Sequence, residues 1–487
     1  MATSAPSPEQ PSYGIVVHEP PKFDLASYIA NYKGRTVFRR LHLIASCSVP
    51  LQEDAARLAV VEAKKGSDVR NYNEAIALLK KAAKGQNVDK FLDPVWAAQQ
   101  EKKNAAETSR LEGELKGYKN NLIKESIRMG NEDLGNHYYT IGDLNNAVKA
   151  YSRMRDYCTT ATHIASTAFR IIAVAIEQKN WLAVQSQVHK IRNLQMKPDD
   201  MTKNQPKTFA AMGLQQMSTG EYYDAAISFL NTDASLGDSY SDVVTSNDIA
   251  VYGGLCALAS MSRSDLQIKV LENANFRNYL ELEPHIRRAI NFFCASKYSQ
   301  CLDILESHRP DYLLDIYLQP LVADIYKRIR TKSIVQYFVP FSKVTLASME
   351  KMFGNPSTTQ GGVRSPSARQ KFLDEIMVLI EERKLDARID MDHGVLEAVQ
   401  HNPRAEAQKA ALDIVDGFVR EARMKLLRLQ ALNAGLEVKV PLSKKKVPWE
   451  ADHVESLYDD ALASGPVGPG GRDILTGNSQ GSARKIG

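Results

Sequence analysis

The amino-acid sequence predicts a mainly α protein: a TPR-like right-handed helical solenoid, followed by a winged-helix subdomain and a C-terminal helix. A helix–turn–helix pattern recurs before Arg330, three helices and a hairpin are indicated after it, and apolar residues repeat with coiled-coil spacing beyond Ala405. We therefore divide the chain into five segments: a disordered N-terminal tail at 1–22, the solenoid at 23–330, the winged helix at 331–400, the terminal helix at 405–432 and a disordered tail at 433–487.

Composition and charge are those of an ordinary folded protein. Of the 487 residues, 44% are hydrophobic and 24% are charged, and the net charge of +5 gives no chain-wide drive to bind nucleic acid. The five cysteines include no CxxC pair, so we expect reduced thiols in cytosol or nucleus, with neither a disulfide framework nor a zinc ribbon. No apolar run approaches the roughly 20 residues that span a bilayer, and no signal peptide is expected.

The helical repeats are most evident around residue 140. Gly135 and Ala147 are small where two helices would cross, and Gly142-Asp143 would form the turn between them. Tyr138 and Tyr151 would fill the space beside the crossing. Weaker turns of the same kind follow at Lys179-Asn180, Gly220-Glu221 and Ser296-Lys297. An earlier candidate turn lies at Asn71. The degenerate spacing favours a divergent solenoid, and Gly253-Gly254 indicates another close crossing of helices.

The segment after Arg330 contains the elements of a winged helix. Apolar residues at helical spacing predict three helices, at 333–338, 346–353 and 371–383. Either Ser342 is the N-cap of the second helix, or Ser342–Thr345 leads into it. A Gly/Ser/Thr/Pro loop, Asn355–Ser367, precedes the third helix. Leu385–Asp390 then alternates apolar and polar residues, which predicts a strand that His393-Gly394 can turn into a hairpin.

Two functions compete for this winged helix. DNA binding through the third helix would need a basic outer face, but the helix is acidic along its length, at Asp374, Glu375, Glu381 and Glu382. Its basic residues stand only at the ends: Lys371, Arg383 and Lys384. Because carboxylates facing phosphates would lower affinity, we favour protein assembly through the exposed edge of the hairpin.

The terminal helix, Ala405–Leu432, carries a coiled-coil seam. Its apolar residues step by three and four: Leu412, Val415, Val419, Ala422, Leu426 and Leu429. Ile414, Phe418 and Leu427 widen this stripe. The helix either folds back on its own winged helix or joins helices of other chains in a bundle, and the breadth of the stripe favours the bundle.

The sequence lacks the common motifs of zinc-dependent hydrolysis and of nucleotide binding. HxH, HExxH, Walker A and GxGxxG patterns are all absent, so neither a zinc hydrolase nor a nucleotide-binding enzyme is indicated. Cys294 and Cys301 are most simply core residues, and no cofactor is expected. The two tails are rich in polar residues, and the lysines at 444–446 are more typical of a solvated tail than of a localisation signal.

The chain resembles the PCI-domain family, whose module is shared by the proteasome lid, the COP-nine signalosome and an initiation-factor complex. The resemblance extends over about residues 23–400. It is carried by specific strings, among them 23–35, 126–138, 151–159, Val251-Tyr252-Gly253-Gly254-Leu255-Cys256-Ala257-Leu258-Ala259, 280–284, Leu313-Leu314-Asp315-x-Tyr317-Leu318 and 336–338. The strings at 151–159 and 251–259 favour a signalosome subunit over the equivalent proteasome lid subunit, which remains the nearest alternative. The loop at Asn355–Ser367 is longer than is usual in the family.

The resemblance implies a fold and a function. The winged helix would complete a PCI domain, and winged helices of neighbouring PCI subunits would pair edge to edge, here through Leu385, Ala387, Arg388 and Ile389. The seam residues would enter a bundle with the other PCI subunits and the MPN-domain subunits. Such a complex removes the ubiquitin-like modifier from cullins and so regulates cullin-RING ubiquitin ligases, with the zinc-dependent chemistry on another subunit.

From the resemblance we expect a non-catalytic scaffold in cytoplasm and nucleus. Its partners would be the other subunits and, transiently, cullin-RING ligases, with no nucleic acid and no membrane. A DNA-binding regulator and a hydrolase remain as alternatives of other classes.

Overall fold

The computed structural model describes residues 15–83, 91–354, 359–360, 363–364, 366–399 and 403–436. The chain divides into two units, Met1–Gln400 and His401–Gly487, and each is described by itself. Most of the two predicted tails, and part of the predicted loop at Asn355–Ser367, lie outside the described residues. Within the described ranges, the helices are all too short or too polar to cross a membrane.

Paired helices form the N-terminal part of the first unit. Five helices precede the first predicted repeat: α1 (Leu25–Ala30), α2 (Arg35–Cys47), α3 (Gln52–Lys65), α4 (Val69–Ala82) and α5 (Pro94–Asn121). Three helix pairs follow: α6 (Lys124–Ile141) with α7 (Leu144–Arg155), α8 (Ala161–Glu177) with α9 (Trp181–Arg192), and α10 (Pro198–Thr219) with α11 (Tyr222–Leu230). From α5 to α12 each helix packs against the next, as in the predicted solenoid.

The second part of the solenoid is built around one buried helix, α12 (Ser246–Ser260), which packs against α11 and four later elements. After it come α13 (Arg263–Asp265), a π-helical turn at Leu266–Leu271, α14 (Ala274–Leu282), α15 (Pro284–Cys294), α16 (Tyr298–Ser307) and α17 (Arg309–Leu313). A Cβ atom on Gly254 would overlap Ile286, and one on Gly253 would crowd Phe276. The predicted close crossing at these glycines is therefore confirmed.

The predicted turns share a left-handed backbone conformation at their first residue. The φ angles are +87° at Gly142, +57° at Lys179, +84° at Gly220 and +61° at Ser296. This conformation ends one helix and lets the next begin within two residues, which is why the turns were recognisable as short motifs. The earlier candidate at Asn71 is wrong, because Asn71 lies inside α4, whose N-cap is Asp68.

A buried ion-pair network connects three distant parts of the chain. Arg40 on α2 is fully buried and donates to the carboxylate of Asp315 at 2.6 Å and to that of Asp248 at 3.1 Å. Its guanidinium lies 3.9 Å from the ring centroid of Tyr32, and the hydroxyl of Tyr252 donates to Asp315 at 2.8 Å. The N-terminal helices are thereby fixed to α12 and to the segment before the winged helix.

A second polar connection fixes the helical repeats to the N-terminal helices. Arg35 donates to Asp68 at 2.8 Å and to Glu177 at 2.9 Å, and so joins α2 to the start of α4 and the end of α8. Asp68 also accepts from backbone N–H groups of its own helix. A Cβ atom on Gly142 would overlap the Asp68 carboxylate, so Gly142 allows this close approach as well as the turn.

Ordered contacts begin earlier in the chain than the sequence indicated. Val17 is buried and forms a parallel bridge with Ser48, and the backbone N–H of Lys22 donates to Asp311 at 2.8 Å. Residues 15–22, which the sequence assigned to the disordered N-terminal tail, therefore pack on the solenoid.

The winged helix follows without a break in the chain. Its elements are α18 (Val322–Phe338), β1 (Lys343–Thr345), α19 (Leu346–Phe353), β2 (Thr359–Gln360), β3 (Val363–Arg364), α20 (Pro366–Glu381), β4 (Ala387–Asp390) and β5 (Val395–Ala398). The sheet has the antiparallel order β1-β5-β4. Three helices with a hairpin confirm the predicted fold class. Arg330 lies inside α18, so the change of pattern there is not a break in structure, and Thr345 rather than Ser342 caps α19.

The second unit, in the part that the structure describes, is a single helix, α21 (Pro403–Asn433). It contains the whole of the predicted Ala405–Leu432 helix.

We predict that Arg40→Met will destabilise the first unit by about 3–5 kcal/mol, because Asp248 and Asp315 would stay buried without their cation. Denaturant unfolding followed by circular dichroism measures the change. Arg57→Met is the control, since Arg57 forms an exposed pair with Glu53, and it should alter stability by no more than about 1 kcal/mol. Equal losses in the two variants would contradict the weight we give to the network.

The two turn glycines offer a matched comparison. Both have positive φ, but a Cβ atom at Gly220 meets no atom within 4 Å, whereas at Gly142 it overlaps Asp68. Gly220→Ala should therefore lower the free energy of unfolding by only about 1–2 kcal/mol, the cost of a left-handed backbone conformation for a residue with a Cβ atom. Gly142→Ala should lower the free energy of unfolding by at least about 1 kcal/mol more, because the Asp68 carboxylate would have to move and its salt bridge to Arg35 would be disturbed. Thermal unfolding of the two variants tests this, and indistinguishable midpoints would refute it.

Candidate functional site

The edge strand of the winged helix is the first candidate surface. β4 pairs with β5 on one side, with Arg388 opposite Glu397 and Ile389 opposite Leu396. Among the described residues, no strand lies on its other side. The unpaired backbone of an edge strand is a template for another strand. The structure thus places the predicted edge where a neighbouring chain could extend the sheet.

The four residues predicted for this edge differ in what they can offer. Leu385 and Ala387 are buried, so their side chains pack in the winged-helix core. Leu385 precedes β4, and its backbone N–H and carbonyl are already bonded to Leu379 and Ala387. Arg388 is exposed and Ile389 is half-buried. Recognition here would come from main-chain pairing plus the Arg388 side chain. At the hairpin turn, hydrogen bonds from His393 lower the pKa of Asp390, so its carboxylate stays charged.

The charges of α20 are arranged somewhat differently from the prediction. Asp374, Glu381 and Glu382 are exposed, as expected. Glu375 instead turns toward α18, where Arg330 donates to it at 2.7 Å and 3.0 Å. Asp374 and Glu381 therefore remain as exposed carboxylates, while Glu382 pairs with Lys384 at 2.7 Å.

The stripe of α21 is the second candidate surface. Five of its six predicted seam residues are exposed, with 65% of Leu412 and 59% of Leu426 accessible, and Ala422 is half-buried. The residues that widen the stripe are also exposed: Ile414, Phe418 and Leu427. A helix that exposes a continuous apolar stripe is a candidate interaction site.

A cavity of about 140 Å³ lies beside the Arg40 network, between α1, α12 and α17. Its carboxylates already have partners. Asp248 and Asp315 accept from Arg40, Glu283 accepts from Asn247 at 2.7 Å, and Asp311 accepts from the backbone of Lys22. The cavity is thus a joint between segments, in which the acidic groups are committed to holding the fold.

Sequence reasoning missed this network. Its one signal was an arginine at position 40 within the buried stripe of α2, between Val37 and Ile44. The partners Asp248 and Asp315 are more than two hundred positions away in the chain, so no local pattern connects them.

The described residues were compared with what a reactive thiol or a metal site requires. All five cysteines are unpaired thiols. Burial raises the pKa of Cys301 to about 12 and also raises the pKa of Cys47 and Cys294, the opposite of what activates a nucleophilic thiol. No cluster of three His, Cys, Asp or Glu side chains in the described ranges is arranged to hold a metal ion.

Comparison with known families agrees with this architecture. The family described as 26S proteasome subunit RPN7 matches residues 93–269, which span most of the helical repeats, and the PCI domain matches residues 305–399. The PCI match includes all of the winged-helix elements from α18 to β5.

Individual relatives distinguish between a signalosome subunit and a proteasome subunit. The COP9 signalosome complex subunit 1 of Emericella nidulans is 56% identical over 434 residues, 89% of this chain and 86% of the relative. The protein of the same name from Arabidopsis thaliana is 38% identical over 423 residues, with 86% and 91% of the two chains covered. The 26S proteasome non-ATPase regulatory subunit 6 of Caenorhabditis elegans is only 24% identical, over 69% of this chain and 80% of its own length. The chain belongs to the COP9 signalosome complex subunit 1 family.

Proposed function

We propose that this chain is a non-catalytic scaffold subunit of the COP9 signalosome, present in cytoplasm and nucleus. In this role it supports removal of the ubiquitin-like modifier from cullins by another subunit, and so regulates cullin-RING ubiquitin ligases. Its stable partners are other PCI subunits and the MPN-domain subunits, and its transient partners are the ligases. Membership of the family supports the complex, and the two assembly surfaces support the scaffold role.

The exposed apolar stripe of α21 is the observation that carries this proposal. A Leu or Val side chain contributes about 1.5–3 kcal/mol when it moves from water to full burial. Leu412, Leu426 and Leu429 are each more than half exposed, so most of that free energy is still to be gained. Their three-and-four spacing matches the seam of a helix bundle.

The edge of β4 adds a second, weaker contact of different chemistry. Main-chain hydrogen bonds give strand addition its affinity with little dependence on sequence. The exposed Arg388 is then the side chain that distinguishes one neighbour from another. A bundle helix with an edge strand is a combination suited to a subunit held at two points.

We predict that truncation after Arg404 will release the chain from its complex while the solenoid stays folded. Affinity purification of the tagged chain, with mass spectrometry of its partners, measures the loss. Full-length chain should recover signalosome subunits. Recovery of proteasome lid subunits instead would overturn the proposed complex, and full recovery of partners by the truncated chain would overturn the role of α21.

A point variant sharpens the same test. Leu426→Glu places a charge in the seam and should reduce recovery of partners about tenfold or more, because a charge would have to be buried in the bundle. Met424→Glu is the matched control. Met424 is 69% exposed on the same helix, but two positions away from Leu426 and outside the seam. We expect it to change recovery by no more than about twofold.

A further inference from the structure

The charged side chains within two helices of the solenoid are all basic. α7 has Lys149, Arg153 and Arg155, α9 has Lys190 and Arg192, and neither contains an Asp or Glu. Corresponding second helices of other pairs do contain carboxylates, such as Asp224 in α11 and Glu306 in α16. The bias is therefore local to these two helices. We call them together the basic face.

The charges of the basic face are accessible. Lys149, Arg153, Arg155, Lys190 and Arg192 are all exposed. Among the described residues, none of the five has a carboxylate within salt-bridge distance; Lys149 has only a 3.4 Å contact to Asn146, and Arg192 a 3.4 Å contact to the sulfur of Met212. Their charges are thus not used inside the fold.

The two helices flank the same neighbour in the solenoid. α8 packs against both α7 and α9, and successive second helices of a solenoid lie side by side. The helix dipole favours cations in a last turn, which suits Arg153, Arg155 and Arg192. It does not account for Lys149 in the middle of α7, nor for two helices without any carboxylate.

An exposed apolar side chain lies on the same helix as Lys190 and Arg192. Leu182, in the first turn of α9, is 79% exposed, and it shares the exposed side of that helix with Gln185 and His189. A phosphate backbone offers no apolar group for Leu182 to contact. An acidic peptide with a bulky apolar residue would satisfy both the leucine and the cations.

We propose that the basic face of α7 and α9 is a docking surface for an acidic peptide segment of a partner protein, with Leu182 receiving an apolar side chain of that segment. Since exposed ion pairs are weak and screened by salt, the contact is reversible and sensitive to ionic strength. This inference does not depend on the proposed bundle or on the edge of β4.

The test uses the full-length chain and a fluorescent peptide of Asp and Glu residues around one central Leu. Fluorescence anisotropy at low salt should detect binding, which weakens as salt is added. The triple variant Lys149→Glu, Arg153→Glu and Lys190→Glu should bind about tenfold more weakly or worse. Leu182→Ser should also weaken binding, and so should Ser in place of the peptide's Leu. Because neither change alters the charge, both test the apolar contact alone.

The control is a triple variant with the same change of charge elsewhere. It combines Lys102→Glu, Lys103→Glu and Lys116→Glu, at three exposed residues of α5. This variant should bind the peptide within about twofold of the unmodified chain. If the triple reversal on the basic face does not fold, the Gln versions of the same three residues replace it. The proposal is overturned by no binding to the unmodified chain, by equal weakening in the α5 variant, or by tighter binding of duplex DNA that depends on the same residues.

Discussion

The first unit depends on one buried arginine held between two carboxylates. Arg40 meets Asp248 and Asp315, so the N-terminal helices, α12 and the approach to the winged helix share a single fully buried charge. Such a pair adds little net stability over apolar packing, since desolvation offsets much of the attraction. Its effect is on register: any shift of α2 along α12 would leave a charge in the interior without its partner. Tyr32 and Tyr252 restrict the same guanidinium from its sides.

The helix α18 connects the solenoid to the winged helix. It continues through Arg330 without interruption. Lys332 donates to the carbonyl of Met261 at 2.5 Å and also to that of Leu258, which ties α18 to the end of α12. Burial lowers the pKa of Lys332 to about 8, a penalty that these carbonyl contacts counteract. The β4 edge therefore belongs to the same compact unit as the solenoid.

Local signals made the repeats, the winged helix and the seam predictable. A turn such as Gly142-Asp143 is defined by two adjacent residues, and the stripe of α21 by spacing within one helix. Three-residue β1 was missed because it is a strand only through its pairing with β5. The Arg40 network was missed because its members are brought together by folding alone. Three residues of the strings that carried the family resemblance, Tyr32, Tyr252 and Asp315, nevertheless meet at Arg40, whereas Arg40 and Asp248 themselves lie outside those strings.

The two proposed docking surfaces differ in chemistry. The α21 stripe is apolar along its length, and a face of that kind is stable only when covered, which suits a partner that never leaves. The cations of α7 and α9 are well solvated when free, so that surface loses little by being empty. A partner that docks there competes with water and salt and can exchange. The proposed scaffold role, in which the subunit stays in its complex while its partners change, would use both kinds of surface, and the sequence places them on separate elements.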